Sequence, residues 1–150
     1  ISHELDYIRW LFGDMKSVYA NIESSGTLEI DVEDSVDMIF ESDKGFTVSV
    51  HLDFNSRNTR RKCIARCSNG DLIWNLAKNK VIWRPANGSE KIEIYDKDRD
   101  YIYKKQLDHF FDCIENNKPP SVSLNDGVAV LRMIDSAKES YRSGKRISLA

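Results

Sequence analysis

The chain has 150 residues, 41% of them hydrophobic, which is enough for one domain with a real core and too few for two ordinary ones. With 22 basic against 24 acidic side chains the net charge is -2, so no bulk positive field draws the chain toward nucleic acid or an anionic membrane. The apolar runs are only a few residues long, so none spans a bilayer, and no signal peptide is visible.

The first element reads as a helix from about Ser2 to Phe12. Leu5, Ile8, Leu11 and Phe12 form an apolar stripe at helical spacing, and Gly13 is a natural stop. His3, Asp6, Tyr7 and Trp10 form a second stripe at steps of three and four, which predicts a well-buried helix. The period then changes to two. Strands are expected at Val18 to Ile22 and Ser35 to Glu41. The run FTVSVHLDF follows an Asp43-Lys44-Gly45 turn. It sets Phe46, Val48, Val50, Leu52 and Phe54 on one face and Thr47, Ser49, His51 and Asp53 on the other. Further strands are expected at Lys62 to Cys67, Asp71 to Leu76, Val81 to Trp83 and Lys91 to Tyr95. Asn69-Gly70, Asn79-Lys80 and Asn87-Gly88 lie at the turns between them. Short connections of this kind imply antiparallel pairing.

Helical period returns from Tyr101 to about Glu115, with Tyr103, Leu107, Phe110, Phe111 and Ile114 on one face, and the Asn/Pro cluster at 116–120 ends it. Ser123 with Asp126 three residues on is an acidic variant of the capping box. Val128, Leu131, Ile134, Ala137 and Tyr141 are expected on the core side of the helix that follows. Gly144 ends it, and Ile147-Ser148-Leu149 can add a short edge strand. The class is α+β: an open, mostly antiparallel sheet with helices packed on one face and the other face available for oligomerisation. Two readings of that second face stand side by side, a solvated surface and a contact with a partner copy.

Three cysteines, Cys63, Cys67 and Cys113, do not make a disulfide framework, and the first two have no second pair with which to close a metal site. They read as buried or half-buried thiols in a reducing cytoplasm. The motifs GxGxxG, GxxxxGK[ST], CxxC, HExxH and GxSxG are absent, so no residue is assigned to cofactor or metal binding. His109 and His51 read as structural, surface or interface residues. His3 stands one helical turn from Asp6. That pair is either a helix-terminal His with a carboxylate partner or a general acid/base that trades a proton with a substrate hydroxyl.

Four segments together resemble the C-terminal domain of the Gfo/Idh/MocA oxidoreductases. They are SHELDYIRWLFG, VHLDFNSRNTRRKC, SNGDLIW, and the closing run from YKKQLDHFF through NKPPSVSLNDG to SGKRISL. The most specific pieces are the H-x-x-D-x-x-x-x-L-F-G start and the P-x-V-S-L-x-D-G…A-x-x-S-x-x-x-G-K-R-I end. The resemblance covers nearly the whole chain in order. It implies a two-domain enzyme in which a separate N-terminal Rossmann domain holds NAD or NADP and supplies a Glu-Lys-Pro lysine. It further implies that residues 1–150 are a single C-terminal substrate-binding and oligomerisation domain, with the dinucleotide-binding domain missing. The family's catalytic His falls on His3, and the Asp expected shortly before it is not in this chain, which starts at Ile1 without a Met. The fragment itself is then expected to bind no cofactor and to be inactive alone.

The family's substrates are sugars, sugar acids, inositols and nucleotide sugars. Asp6, Tyr7 and Trp10 are the expected walls of such a site. Arg57, in a basic cluster with Arg60, Arg61 and Lys62, is either a contact for phosphate or carboxylate groups or a solvated loop residue. The expected partners are a second copy of the chain through the sheet face and a small sugar-type substrate, with no nucleic acid and no membrane. The expected compartment is the cytoplasm. The competing reading is a non-catalytic assembly domain with the same fold, in which His3 is structural.

Overall fold

The computed structural model describes residues 1–26, 28, 32–95 and 99–149, apart from the side chain of Arg99. The order is α1 (Ser2–Phe12), β1 (Met15–Glu23), β2 (Ser35–Ser42), β3 (Thr47–Asp53), β4 (Lys62–Cys67), β5 (Gly70–Asn75), a 3-10 turn (Leu76–Lys78), β6 (Lys80–Pro85), β7 (Lys91–Ile94), α2 (Arg99–Glu115), α3 (Leu124–Ser143) and β8 (Ile147–Ser148). The α+β class holds. The strands divide into two open sheets of four, ordered β3-β2-β1-β8 and β4-β5-β6-β7, with every pairing antiparallel. The chain forms two compact units, Ile1–Asn55 with Ser121–Ala150, and Ser56–Pro120.

In the first unit the period-two pattern puts Val18, Phe40 and Val48 in one cross-strand row and Ala20, Met38 and Val50 in the next. These side chains face the helices and make a core with Leu5 and Ile8 of α1 and Val130, Met133 and Ala137 of α3. α3 lies against β1, α1 and β8. Its first turn carries the expected capping box: the Asp126 amide donates to the Ser123 hydroxyl at 3.2 Å, and the Ser123 amide donates to the Asp126 carboxylate at 2.8 Å. Gly144, at φ 64°, ends the helix in the left-handed conformation.

The buried face of α3 is only partly the one expected: Ala137 and Ile134 meet the core, and the rest of the stripe does not. Val130, Met133, Ala137 and Ser140 are buried, Ile134 is half-buried, and Val128, Leu131 and Tyr141 are exposed. Two neighbouring stripes of this helix are apolar, and the one with the smaller side chains faces β1. Ser140 shows what that close approach is for. Its hydroxyl receives the Ala20 amide of β1 at 3.0 Å and donates to the Lys145 carbonyl at 2.6 Å, with no exposed surface. Ser140→Ala leaves both groups unpaired, and a loss of about 1–3 kcal/mol in denaturant-derived stability is expected. A valine at the same position would add overpacking to that loss.

α1 departs from the expectation of a well-buried helix. Leu5 and Ile8 are its buried residues, while Trp10 is 81% exposed. The flanks of the long strand also differ: Phe46 and Phe54 fall outside β3, and Phe46 turns its ring edge-on to Phe12 at 6.0 Å.

In the second unit Ile64, Ile73, Ile82 and Ile92 line up across all four strands. The two on the inner strands are buried and the two on the edges are exposed. Gly70 is the first residue of β5 rather than a turn residue. Its φ is 143°, and a Cβ there would sit 2.2 Å from the Arg84 carbonyl oxygen, so only glycine lets β5 pass β6 at this point. The apolar face of α2 is another departure. Tyr103, Leu107, Phe110, Phe111 and Ile114 are each more than half exposed. Helical periodicity identifies an apolar stripe but not the element that covers it.

Candidate functional site

α1 forms because residues 2–12 contain no Pro or Gly and place Leu5 and Ile8 on the side that meets the core. That docking turns the His3, Asp6, Tyr7 and Trp10 stripe away from the buried side. His3 is exposed in the first turn, Asp6 and Tyr7 are half-buried, Tyr7 packs against the core margin, and Trp10 stands almost free. The four residues therefore share one accessible face with an imidazole, a carboxylate, a phenol and an indole. That set can exchange a proton, accept hydrogen bonds from hydroxyl groups and stack on an apolar ring face. Arg57 belongs to the second unit, where it is exposed in the connection before β4.

The far end of α1 is tied down by groups that sequence reasoning did not find. The Arg9 guanidinium donates from Nε to Asp14 and from Nη1 to Asp126, both at 2.6 Å. Hydrogen bonding to Asp126 holds Arg9 above its ordinary value, against a smaller opposing effect of burial. The Ser123 hydroxyl, and then Arg9, hold the Asp126 carboxyl far below the usual carboxylate range. Lys44 Nζ reaches the Phe12 carbonyl at 3.3 Å, and the Gly13 amide closes on the Arg9 carbonyl at 2.8 Å. Asp34, between β1 and β2, is buried and accepts from the Ser25 amide at 2.9 Å and hydroxyl at 2.5 Å, which lowers its pKa.

On the outer face of the first sheet His51 bridges Asp37, at 2.7 Å from Nδ1, and Asp53, at 3.2 Å from Nε2. Half of that arrangement is visible as the His51-x-Asp53 spacing, while Asp37 comes from the neighbouring strand. The hydrogen bond to Asp37 raises the His51 pKa. Stability from a raised imidazole is fully present below its unfolded-state value and is lost as the pH climbs through the folded one. The thermal midpoint of the wild type is thus expected to exceed that of His51→Ala at pH 6, and the gap should close as the pH rises through the raised value. With His51 58% exposed the gap is small.

The cysteines are free thiols. Cys63 and Cys113 are half-buried, but Cys67 is exposed, because its strand ends on the surface. Burial pushes the Cys63 thiol up. Among the described residues no helix is long and apolar enough to cross a membrane.

Comparison with known proteins places these features. The model of the Gfo/Idh/MocA oxidoreductase family, C-terminal alpha/beta domain, matches residues 1–149. No curated protein matches the sequence. Among solved structures, levoglucosan dehydrogenase in complex with NADH and L-sorbose superposes with a TM-score of 0.89 at 18% identity, over 99% of this chain and 48% of that one. The WlbA dehydrogenase from Bordetella pertussis, in complex with NADH and UDP-GlcNAcA, gives 0.79 at 21% identity, over 99% of this chain and 46% of that one. Aldose-aldose oxidoreductase from Caulobacter crescentus, complexed with glycerol, gives 0.82 at 19% identity, over 98% and 45%. The chain spans about half the length of these structures.

Proposed function

Because the chain belongs to the Gfo/Idh/MocA oxidoreductase family and matches its C-terminal alpha/beta domain, we propose that it is the substrate-binding and oligomerisation domain of an NAD(P)-dependent dehydrogenase of a sugar, sugar acid or nucleotide sugar. The observation that carries this reading is the accessible His3–Asp6–Tyr7–Trp10 face of α1, at the start of a domain whose structural relatives were solved with NADH and sugar-type ligands. His3 takes the hydroxyl proton as the carbinol carbon is oxidised. Asp6 accepts hydrogen bonds from neighbouring hydroxyl groups and holds the imidazole by charge. Tyr7 and Trp10 offer ring faces to the C–H face of a pyranose.

No Gly-rich dinucleotide fingerprint stands in this sequence, so none of its residues is assigned to the cofactor. When bound to the remainder of the enzyme, NAD or NADP supplies the hydride acceptor. The outer face of the first sheet, where exposed Tyr19 and Ile39 pair in register, is the proposed contact with a second copy, and the proposed compartment is the cytoplasm.

The test is isotopic. The full-length protein is mixed with NAD or NADP and a panel of sugars, sugar acids and nucleotide sugars deuterated at their carbinol carbons. Deuterium should appear in the reduced cofactor with at least one of them. Folded protein that transfers none across the panel sinks the dehydrogenase reading. The domain would then stand as an assembly module, the second reading that the exposed Tyr19–Ile39 pair and the bare face of α2 favour.

A further inference from the structure

The last turns of α1 carry the Arg9 bridge, the Gly13 amide closure and the Lys44 contact. Along the helix Leu5 and Ile8 are buried and Tyr7 and Phe12 pack beside them at the margin of the core, a single narrow seam. Such a seam resists separation of the helix from the core much better than it resists rocking. His3 stands about 9 Å along the axis from Arg9 and about 120° around it.

We propose that Arg9 is a positioning residue: its guanidinium, shared between Asp14 and Asp126, sets the tilt and rotation of α1 and thereby the place of His3. The partner that matters is Asp126. Its Oδ2 accepts from both the Ser123 amide and the Ser123 hydroxyl in the capping box of α3, which leaves Oδ1 aimed at Arg9 Nη1. The carboxylate is therefore oriented independently of Arg9, and the bridge joins α1 to the capping box of α3. The planar fork lets one side chain hold two carboxylates from different directions, which defines rotation as well as distance. A tilt of about 10° at Arg9 moves the His3 backbone by about 1.6 Å over the rise between them. Displacements near 1 Å cost about a hundredfold in turnover. The catalytic consequence rests on the reading of His3 as the acid/base.

The experiment has a structural arm and a kinetic arm. In the 150-residue chain, residual dipolar couplings of amides 2–8 are compared with those of α3 in wild type, Arg9→Lys and Arg9→Ala. Arg9→Ala should reorient α1 relative to α3, and Arg9→Lys, which keeps a point charge near Asp126, should restore most of the orientation. In the full-length enzyme, with the best sugar of the deuterated panel, Arg9→Ala should lower kcat by about ten- to a hundredfold. The KM for the cofactor should not move, and Arg9→Lys should recover part of the loss. Asp14→Ala, which removes one of the two carboxylates and leaves the Asp126 arm, should fall between wild type and Arg9→Ala in both arms.

Unchanged couplings in Arg9→Ala overturn the proposal whatever His3 does. So does unchanged kcat in Arg9→Ala when His3→Ala has lost its turnover. If His3→Ala keeps full turnover, the acid/base reading is what fails, and the couplings alone decide whether Arg9 orients the helix.

Discussion

His3→Ala in the full-length protein is expected to lower kcat by about a hundredfold or more while the melting midpoint stays within a degree or two. The two halves of that result come from one fact: His3 is exposed in the first turn of α1, outside the core cluster of Leu5 and Ile8. Removing it takes away no buried contact, so the helix keeps its seat. What goes is the group that would accept the hydroxyl proton as the carbinol carbon loses its hydride. Imidazole added to the assay should restore part of the rate, since a small base can enter the space left by the side chain. His3→Gln, similar in size and unable to titrate, should be as slow as His3→Ala. Steady-state turnover beside a thermal melt of each variant checks all three statements. A kcat that survives in His3→Ala removes the residue from the chemistry.

The largest effect on stability is expected at Phe40. Its ring has no exposed surface and lies at the centre of β2, paired with Val18 of β1 and Val48 of β3 and roofed by both helices of that unit. Phe40→Ala should cost about 3–5 kcal/mol, the sum of lost transfer energy and the cavity left behind. A domain of this size has only about 5–15 kcal/mol in hand, so the variant should be partly unfolded at 37 °C. Urea denaturation of the 150-residue chain measures this directly. Phe111→Ala is the matched control: the same chemical change on the exposed face of α2 should shift stability by no more than about 0.5 kcal/mol. Equal losses at the two positions would mean that the core is misplaced or that α2 is covered in solution.

Much of the fold was legible where one local signal decides. α1 runs from Ser2 to Phe12 and stops at Gly13 because a glycine follows an apolar stripe. β4 was bounded at both ends by its flanking polar residues, and the Ser123–Asp126 box marked the start of α3 because both partners lie within one turn. What failed needed a second element. The inward face of α3 is chosen by how closely Ser140 and Ala137 approach β1, and an apolar count along one helix does not contain that information. The exposure of Trp10 and of the α2 stripe depends on what lies opposite them. For the site, the stripe of four residues on α1 was visible from spacing alone. The Arg9–Asp126 bridge was not, because its partners are 117 residues apart and the only local signal at Asp126 is the capping box.

The last strand of the first sheet is very short. β8 pairs only Ile147 and Ser148 with Val18 and Ser17, helped by the Leu149 amide on the Lys16 carbonyl and by the Ser140 hydroxyl on the Lys145 carbonyl. Those bonds, with Ile147 and Leu149 packed on the core, cover this stretch of β1 as a narrow selvedge. Without it, β1 would present a row of unpaired amides and carbonyls on which any extended strand could seat, including the same tail offered as a separate peptide. The final residues thus take this edge of the sheet out of play, while β3 remains its other edge.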